Sequence, residues 1–426
     1  MFEPVDSQRT SALNALFKDY GGPAFSIQLW DGWHWSSSIA ERPVSTIVVR
    51  NPQTLNSLVA EPNEIALGEA FIHNDLDVEG DIFSVFSIGE YILNRPPSLR
   101  QKILEKAARA GFSLTQRLRH GSRHSERRDR DSISYHYDQP IEFYQPWLGR
   151  SLAYSCAYFR NEKDTLDLAQ EQKLELICRK LRLQPLESFL DIGCGWGSLL
   201  LHAASRHHVH AQGITLSQEQ AEIAKQRIEA AGMERRCTVD LRDYRTLACV
   251  EPSFDKIASV GMFEHVGLEN LPQYFKIVGS LLRPGGIFLN HGIARSHLSP
   301  VRESSFIDRY VFPDGQLVTL TQALEAAESQ GFEVRDVENL REHYELTLRR
   351  WVEGLRKSSE TLLQHVSEVT YRIWLLYMAG SAAAFHRGDI AVYQVLFSRP
   401  GRDHGRLPLT REDWYKPASS RQEVEV

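Results

Sequence analysis

The sequence reads as an α/β protein, a Rossmann-like layered sheet preceded by a smaller N-terminal α+β domain. Beyond residue 132, short apolar runs alternate with stretches of helical length, the pattern of a largely parallel sheet. One of these runs, FLDIGCGWG at Phe189–Gly197, passes from a strand into a glycine turn that opens a helix. The length of 426 residues with 42% hydrophobic content is enough for one large core and a second, smaller one.

Taken in order, FSIQLW and STIVV between Phe25 and Val49 are broken by Gly, Asp and Pro, and predict strands in the first domain. Asn63–Phe71 and Gly80–Leu93 then read as helices. Residues 117–131, RLRHGSRHSERRDRD, hold six arginines, two histidines and three acids, which predicts an exposed linker. This linker divides an N-terminal domain, 1–116, from a catalytic domain, 132–402, which a polar tail, 403–426, follows. Ser188–Asp191, Val209–Leu216, Cys237–Leu241, Phe254–Val260 and Gly286–His291 are the expected strands, with a helix at Gln218–Ala231. Glu333–Val337 and Ala391–Phe397 complete the series around a helical stretch from Glu342 to about His386.

The net charge of −6 argues against a globally basic nucleic-acid binder. Five cysteines, with no CxxC pair or zinc-like spacing, read as reduced thiols and imply no metal. The opening MFEPVDSQRT has neither a basic nor an apolar run, and the longest apolar stretch, Trp374–Phe385, is shorter than the ~20 residues of a membrane span. A cytoplasmic protein is expected, one that touches a membrane only from outside.

The glycine turn carries the first chemical signal. Gly193, Gly195 and Gly197 allow a tight turn and the approach of a ligand to bare backbone. Asp191, at the end of the strand before them, is placed to accept a hydrogen bond from a cationic amino group. The next strand ends in GITLSQEQ (Gly213–Gln220), without the acid that a dinucleotide fold uses on its ribose. Thr215 and Gln220 remain as ribose partners, and Asp243 and Tyr244 after the third strand as flanks for an adenine. The set favours S-adenosylmethionine over a dinucleotide.

Six motifs then occur in order: YSCAYF (Tyr154–Phe159), FLDIGCGWG, GITLSQEQ, GMFEHVG (Gly261–Gly267), NHGIA (Asn290–Ala294) and FIDRYVFPDG (Phe306–Gly315). Together they resemble the cyclopropane-fatty-acid and mycolic acid cyclopropane synthases, class I S-adenosylmethionine-dependent methyltransferases. The likeness runs from Tyr135 to Arg399, and PNEIALGEAFI (Pro62–Ile72) resembles the family's N-terminal lipid-binding domain. The resemblance implies transfer of a methylene to the cis double bond of an unsaturated phospholipid acyl chain, with bound bicarbonate removing a proton from the added methyl. It implies bicarbonate contacts at Cys156, Glu264, His291, Ile293 and Tyr344, those of Cys156 and Ile293 through backbone groups. For the co-substrate it implies Tyr154, Ser155, Gly193, Gly195, Thr215, Gln220, Asp243 and Tyr244. It also implies peripheral contact with the inner face of a membrane and a homodimer.

An alkene is a poor nucleophile, so such a reaction depends on positioning and on dry, aromatic surroundings for the carbocation. An ionised Glu264 beside an anion poses a problem that a shared proton or the histidine must resolve. The chain departs from the family in RDYRTL (Arg242–Leu247), which alters the residues beside the adenine, and in HYDQPIEFYQPWLG (His136–Gly149), at the entrance to the site. His265 reads as structural. Trp374, Tyr377 and Met378 sit in an all-round apolar helix, either core or the wall of an acyl tunnel. Two other functions stay open: a methyltransferase of the same fold acting on another substrate, such as one forming a methyl-branched fatty acid or an N-methylated small molecule, and a catalytically silent lipid-binding protein.

Overall fold

The computed structural model describes residues 3–55, 63–93, 139–247, 253–298, 305–312, 315–401 and 407–415. The expected linker 117–131 and Cys249 lie outside the described residues. The chain divides into two compact units, one gathered from 1–122, 300–313 and 355–384, the other from 123–299, 314–354 and 385–426. Two segments of the expected 132–402 domain therefore group with the N-terminal residues.

The smaller unit contains a four-stranded sheet in the order β2-β1-β3-β4, built from β1 (Phe25–Leu29), β2 (His34–Ser36), β3 (Ser45–Val49) and β4 (Leu76–Gly80). β1 pairs antiparallel with β2 and parallel with β3, and β4 runs antiparallel to β3. Phe17, Phe25 and Trp35 fill its core, with Phe17 and Phe25 meeting edge to face at 5.0 Å. The helix Glu64–Ile72 starts where Asn63 Oδ1 accepts the Ala66 N–H, an N-cap that satisfies one of the helix's free donors. The helix expected from Gly80 begins only at Val85, because Leu76–Gly80 is strand and Gly80 turns the chain at φ +83°. The helical stretch expected from Glu342 resolves into Arg341–Lys357, a short turn at Ser359–Leu362, and Glu368–Arg387. Trp374 and Met378 are buried in the smaller unit, where the Tyr377 ring meets Phe312 edge to face at 5.7 Å.

The larger unit is built on seven strands: β5 (Ser188–Ile192), β6 (His210–Thr215), β7 (Cys237–Leu241), β8 (Phe254–Val260), β9 (Leu282–Arg295), β10 (Glu333–Asn339) and β11 (Ile390–Ser398). Their order is β10-β11-β9-β8-β5-β6-β7, with β5 to β9 parallel and β11 antiparallel to both its neighbours. The chain leaves β5 toward β6 and later returns on its other side as β8, so a crevice opens at the carboxyl ends of these strands. Leu174, Ile177, Leu200, Ala203 and Ala224 cover one face of the sheet. Tyr274, Phe275, Val278, Ala323 and Ala327 cover the other. Within the expected polar tail, Glu412–Tyr415 is helical and Trp414 is buried, with Lys180 and Arg182 each 5.7 Å from its ring. Among the described residues no helix is long and apolar enough to cross a membrane.

Candidate active site

A cleft lies at the carboxyl ends of β5, β6 and β8. Tyr154, Ser155, Asp191, Gly193, Gly195, Thr215, Gln220 and Tyr244 all line it. Gly193 has φ +81°, and a Cβ there would lie 2.8 Å from Met262 Cβ, so the turn after β5 packs against the turn after β8 only without a side chain. Asp191 Oδ1 is buried and has no hydrogen-bond partner, a vacant acceptor suited to a cationic amino group. Burial raises the Asp191 carboxyl to about 7, against the pull of Lys173. Thr215 donates to Gln220 Oε1 at 2.9 Å, which fixes both side chains at the end of β6. Asp243 instead turns to Arg245, accepting from its backbone N–H at 2.9 Å and its guanidinium at 2.7 Å, while Tyr244 faces the cleft.

An aromatic wall stands beside the cleft. Tyr154 lies 5.1 Å from Trp351 and 5.7 Å from Trp147, and Tyr144 lies 4.9 Å from Trp196. Tyr144 and Trp147 belong to the segment that departs from the family's usual pattern, and both are fully buried. The Tyr344 ring extends the wall, 6.0 Å from Trp351 and 4.7 Å from Phe385.

Glu264, His291 and Ile293 lie together at the ends of β8 and β9. β8 ends at Val260, paired with His291, and Gly261 N–H still donates to the His291 carbonyl at 2.9 Å. The chain then turns away, and a parallel ladder would leave the Ile293 N–H without an acceptor. Glu264 supplies one, since its Oε1 accepts that N–H at 2.8 Å. Its Oε2 is buried without a partner, and burial raises the carboxyl to about 7. His291 Nδ1 lies 3.1 Å from Gln394 Nε2 on β11. With the amide donating, the imidazole proton sits on Nε2, a buried atom that also has no partner. Desolvation, reinforced by Lys173 and Lys180, holds this histidine well below its ordinary value, so it is neutral.

Cys156 and Tyr344 meet instead at Leu340, on the far side of β11 from Ile293. The Leu340 carbonyl accepts from Tyr344 N–H at 3.0 Å and lies 3.9 Å from Cys156 Sγ. Leu340 N–H bonds the Val392 carbonyl, and Val392 pairs with Ile293, so one row across the sheet links Cys156 to Ile293. Burial pushes the Cys156 thiol far above its usual range, so it is no nucleophile at neutral pH.

Sequence reasoning missed two residues of the helix Leu166–Leu181. Gln170 Nε2 donates to the carbonyls of Ala153 and Ser155, at 3.1 and 2.9 Å, and so shapes the turn that presents Tyr154. Lys173 lines the cleft, is 2% exposed, and donates to Ser155 Oγ at 2.7 Å. Burial lowers its ammonium to about 8, which the nearby Cys156 and Asp191 oppose. Positions 170 and 173 fall on the stripe that Leu174, Ile177 and Leu181 bury, and a polar pair within such a stripe is the signal that could have found them. His265, read as structural, also lines the cleft.

The chain is similar to known proteins in sequence and in fold. Residues 124–395 match the family described as mycolic acid cyclopropane synthetase, and residues 12–91 match a domain of unknown function. A probable fatty acid methyltransferase of Pseudomonas putida is 41% identical over 396 residues, 92% of this chain and 96% of that protein. The cyclopropane-fatty-acyl-phospholipid synthase of Escherichia coli K12 is 34% identical over 354 residues, 83% of this chain and 87% of that one. Among solved structures, mycolic acid cyclopropane synthase CmaA1 complexed with SAH and CTAB superposes with a TM-score of 0.60 at 32% identity, covering 63% of this chain and 98% of its own. A parallel sheet with its crevice at β5, a glycine turn with a vacant buried acid, and a family match over most of the chain converge: the protein belongs to the mycolic acid cyclopropane synthetase family and is an S-adenosylmethionine-dependent methyltransferase.

Proposed function

We propose that the protein is a cyclopropane-fatty-acyl-phospholipid synthase that works at the inner face of a membrane, on the cis double bond of unsaturated phospholipid acyl chains. In this reading S-adenosylmethionine supplies the methyl group, and bicarbonate the base that removes one of its protons so that the ring closes. The observation that carries it is the pair of buried, unpartnered atoms, Glu264 Oε2 and His291 Nε2, at the ends of adjacent strands. A neutral His291 with its proton on Nε2 is a donor for an anion. Glu264, with its carboxyl raised to about 7, holds a proton for much of the time near neutral pH and offers a second donor while Oε1 keeps the Ile293 N–H. The like-charge conflict between this acid and a bound anion is thereby relieved.

Asp191, Thr215, Gln220, Gly193 and Gly195 hold the co-substrate, with Tyr154, Ser155 and Tyr244 closing around it. Tyr154 at the cleft, with the Trp351 and Tyr344 rings packed in series behind it, would offer a developing carbocation a π face rather than solvent. Tyr344 and the backbone at Cys156 and Ile293 complete the anion site, and Trp374, Tyr377 and Met378 are the proposed acyl-chain contacts within the smaller unit. Two copies joined as a homodimer would bind one bilayer more tightly than either alone.

Purified protein is incubated with vesicles of unsaturated phospholipid and methyl-labelled S-adenosylmethionine, with and without bicarbonate, and the released fatty acids are analysed by mass spectrometry. A labelled ring product that depends on bicarbonate is the expected result. A methyl-branched product without a ring would favour a second reading, fatty acid methylation, which the name of the Pseudomonas relative supports. No labelled lipid would overturn both.

A further inference from the structure

We propose that the larger unit carries a metal site, of the kind that takes Zn²⁺, between the helices Leu166–Leu181 and Ser198–His207. Cys178 Sγ and one ring nitrogen each from His202 and His207 lie within 4.8 Å of one another. Zinc bound at about 2.3 Å to sulfur and 2.0–2.1 Å to nitrogen needs such atoms roughly 3–4 Å apart, so closure requires side-chain shifts of an ångström or less. Glu175, one turn before Cys178, adds a fourth group: its Oε2 accepts from Nε2 of both histidines, at 3.1 Å each. A carboxylate that fixes metal-binding imidazoles is the usual outer partner of such rings.

The donors choose the ion. A thiolate with two imidazoles suits Zn²⁺ or Co²⁺, not Mg²⁺ or Ca²⁺. Cys178 is fully buried, while His202 and His207 keep 10% and 15% of their side chains exposed, so an ion reaches the sulfur from the histidine side. Binding forms the metal–sulfur bond as the Cys178 thiol releases its proton to solvent, with no redox change. Arg179 Nε, 2.7 Å from Glu175 Oε1, holds the carboxylate in place and limits the negative charge of the site. The first helix also carries Gln170 and Lys173, so occupancy would tie the scaffold of the cleft to the helix that follows the glycine turn. The spacing hides this site in the sequence, since its donors come from two helices with no CxxC.

The full-length protein, stripped of metal with a chelator, is titrated with Co²⁺ and then with Zn²⁺. The expected result is one Co²⁺ per chain, with a thiolate-to-cobalt charge-transfer band in the near ultraviolet and the visible bands of four-coordinate cobalt, bleached by one equivalent of Zn²⁺. Cys178→Ser should lose the charge-transfer band and Cys237→Ser should retain it. Zn²⁺ should also raise the unfolding temperature of the unaltered protein, a readout that does not depend on any variant folding. A titration without a charge-transfer band, or a band that survives in folded Cys178→Ser, would overturn the proposal.

Discussion

Replacing Lys173 with methionine tests the electrostatics of the cleft most directly. The side chain is similar in length and apolar, and the site is closed to solvent, so the change removes a buried cation while keeping most of the volume. Asp191 lies in the field of this ammonium and already sits at about 7 because of burial. In the proposed site Asp191 must be ionised to receive a cationic amino group, so the KM for S-adenosylmethionine should fall as pH rises through about 7. An opposite charge nearby lowers a carboxyl by roughly 1–3 units. Losing the smallest such amount, about 1 unit or ~1.4 kcal/mol, cuts the ionised fraction at pH 7 from about one half to about one tenth. The KM at pH 7 should then rise about fivefold, with the limb of the profile moved upward by about one unit so that much of the loss is recovered near pH 9. Initial rates against co-substrate concentration from pH 6 to 9 measure this. An unchanged KM at pH 7, or a raised one that high pH does not restore, would refute the assignment of Lys173 as the counter-charge.

Three further outcomes follow from the same geometry. Glu264→Gln keeps an amide oxygen for the Ile293 N–H and removes a buried charge. The native carboxyl is raised from its unfolded value to about 7, so its penalty on the fold grows as pH rises between about 4.5 and 7. The variant should therefore be more stable than the native protein at pH 8, by ~1–3 kcal/mol in denaturant melts, and equal to it near pH 4.5, and its amide N–H, standing where the protonated Oε2 donates in the proposed site, should keep ring formation. His291 should show the nitrogen shifts of a neutral ring with its proton on Nε2 from pH 5.5 to 8.5 by NMR, and Gln394→Leu should mix the tautomers and lower kcat. Gly193→Ala meets Met262 at 2.8 Å on top of an unfavourable φ, whereas Gly195→Ala meets nothing within 4 Å. Gly195→Ala, also at positive φ (+52°), should cost ~1–2 kcal/mol of stability, and Gly193→Ala clearly more, both read by calorimetry.

Cys237–Leu241 and Phe254–Val260 were legible to the residue because each is a short run bounded by polar or turn residues. β9 was read too short, as Gly286–His291, because Arg283, Pro284 and Gly285 look like a turn and Gly292 like a break. In the fold β11 pairs with this strand from Ile287 to Arg295, and that long-range ladder decides its upper end. The glycine turn and the Glu264 and His291 motifs announced themselves through rare residue combinations. Lys173 and Gln170 show only as a polar pair on the stripe of Leu174, Ile177 and Leu181, a signal that the many charged residues of LDLAQEQKLELICRKL dilute. Nor does sequence order reveal that Leu340, at the foot of a helix, ties Cys156 and Tyr344 to the row of Ile293.

Burial drives the main ionisable groups of the site toward neutrality: Asp191 and Glu264 up to about 7, Lys173 down to about 8, and His291 well below its usual range. A site so arranged holds little fixed charge of its own, and its acids change state near neutral pH, where small perturbations decide the outcome. A cation bound beside Asp191 favours the ionised carboxylate, and an anion beside Glu264 favours the protonated acid, so each ligand sets the proton count of the group that receives it. Lys173 lies within the field of both Asp191 and His291. Its charge favours an anion near His291 and, by keeping Asp191 ionised, also favours a cation near Asp191. One buried ammonium thus serves two opposite ligands, from a position where the helix stripe otherwise calls for an apolar side chain.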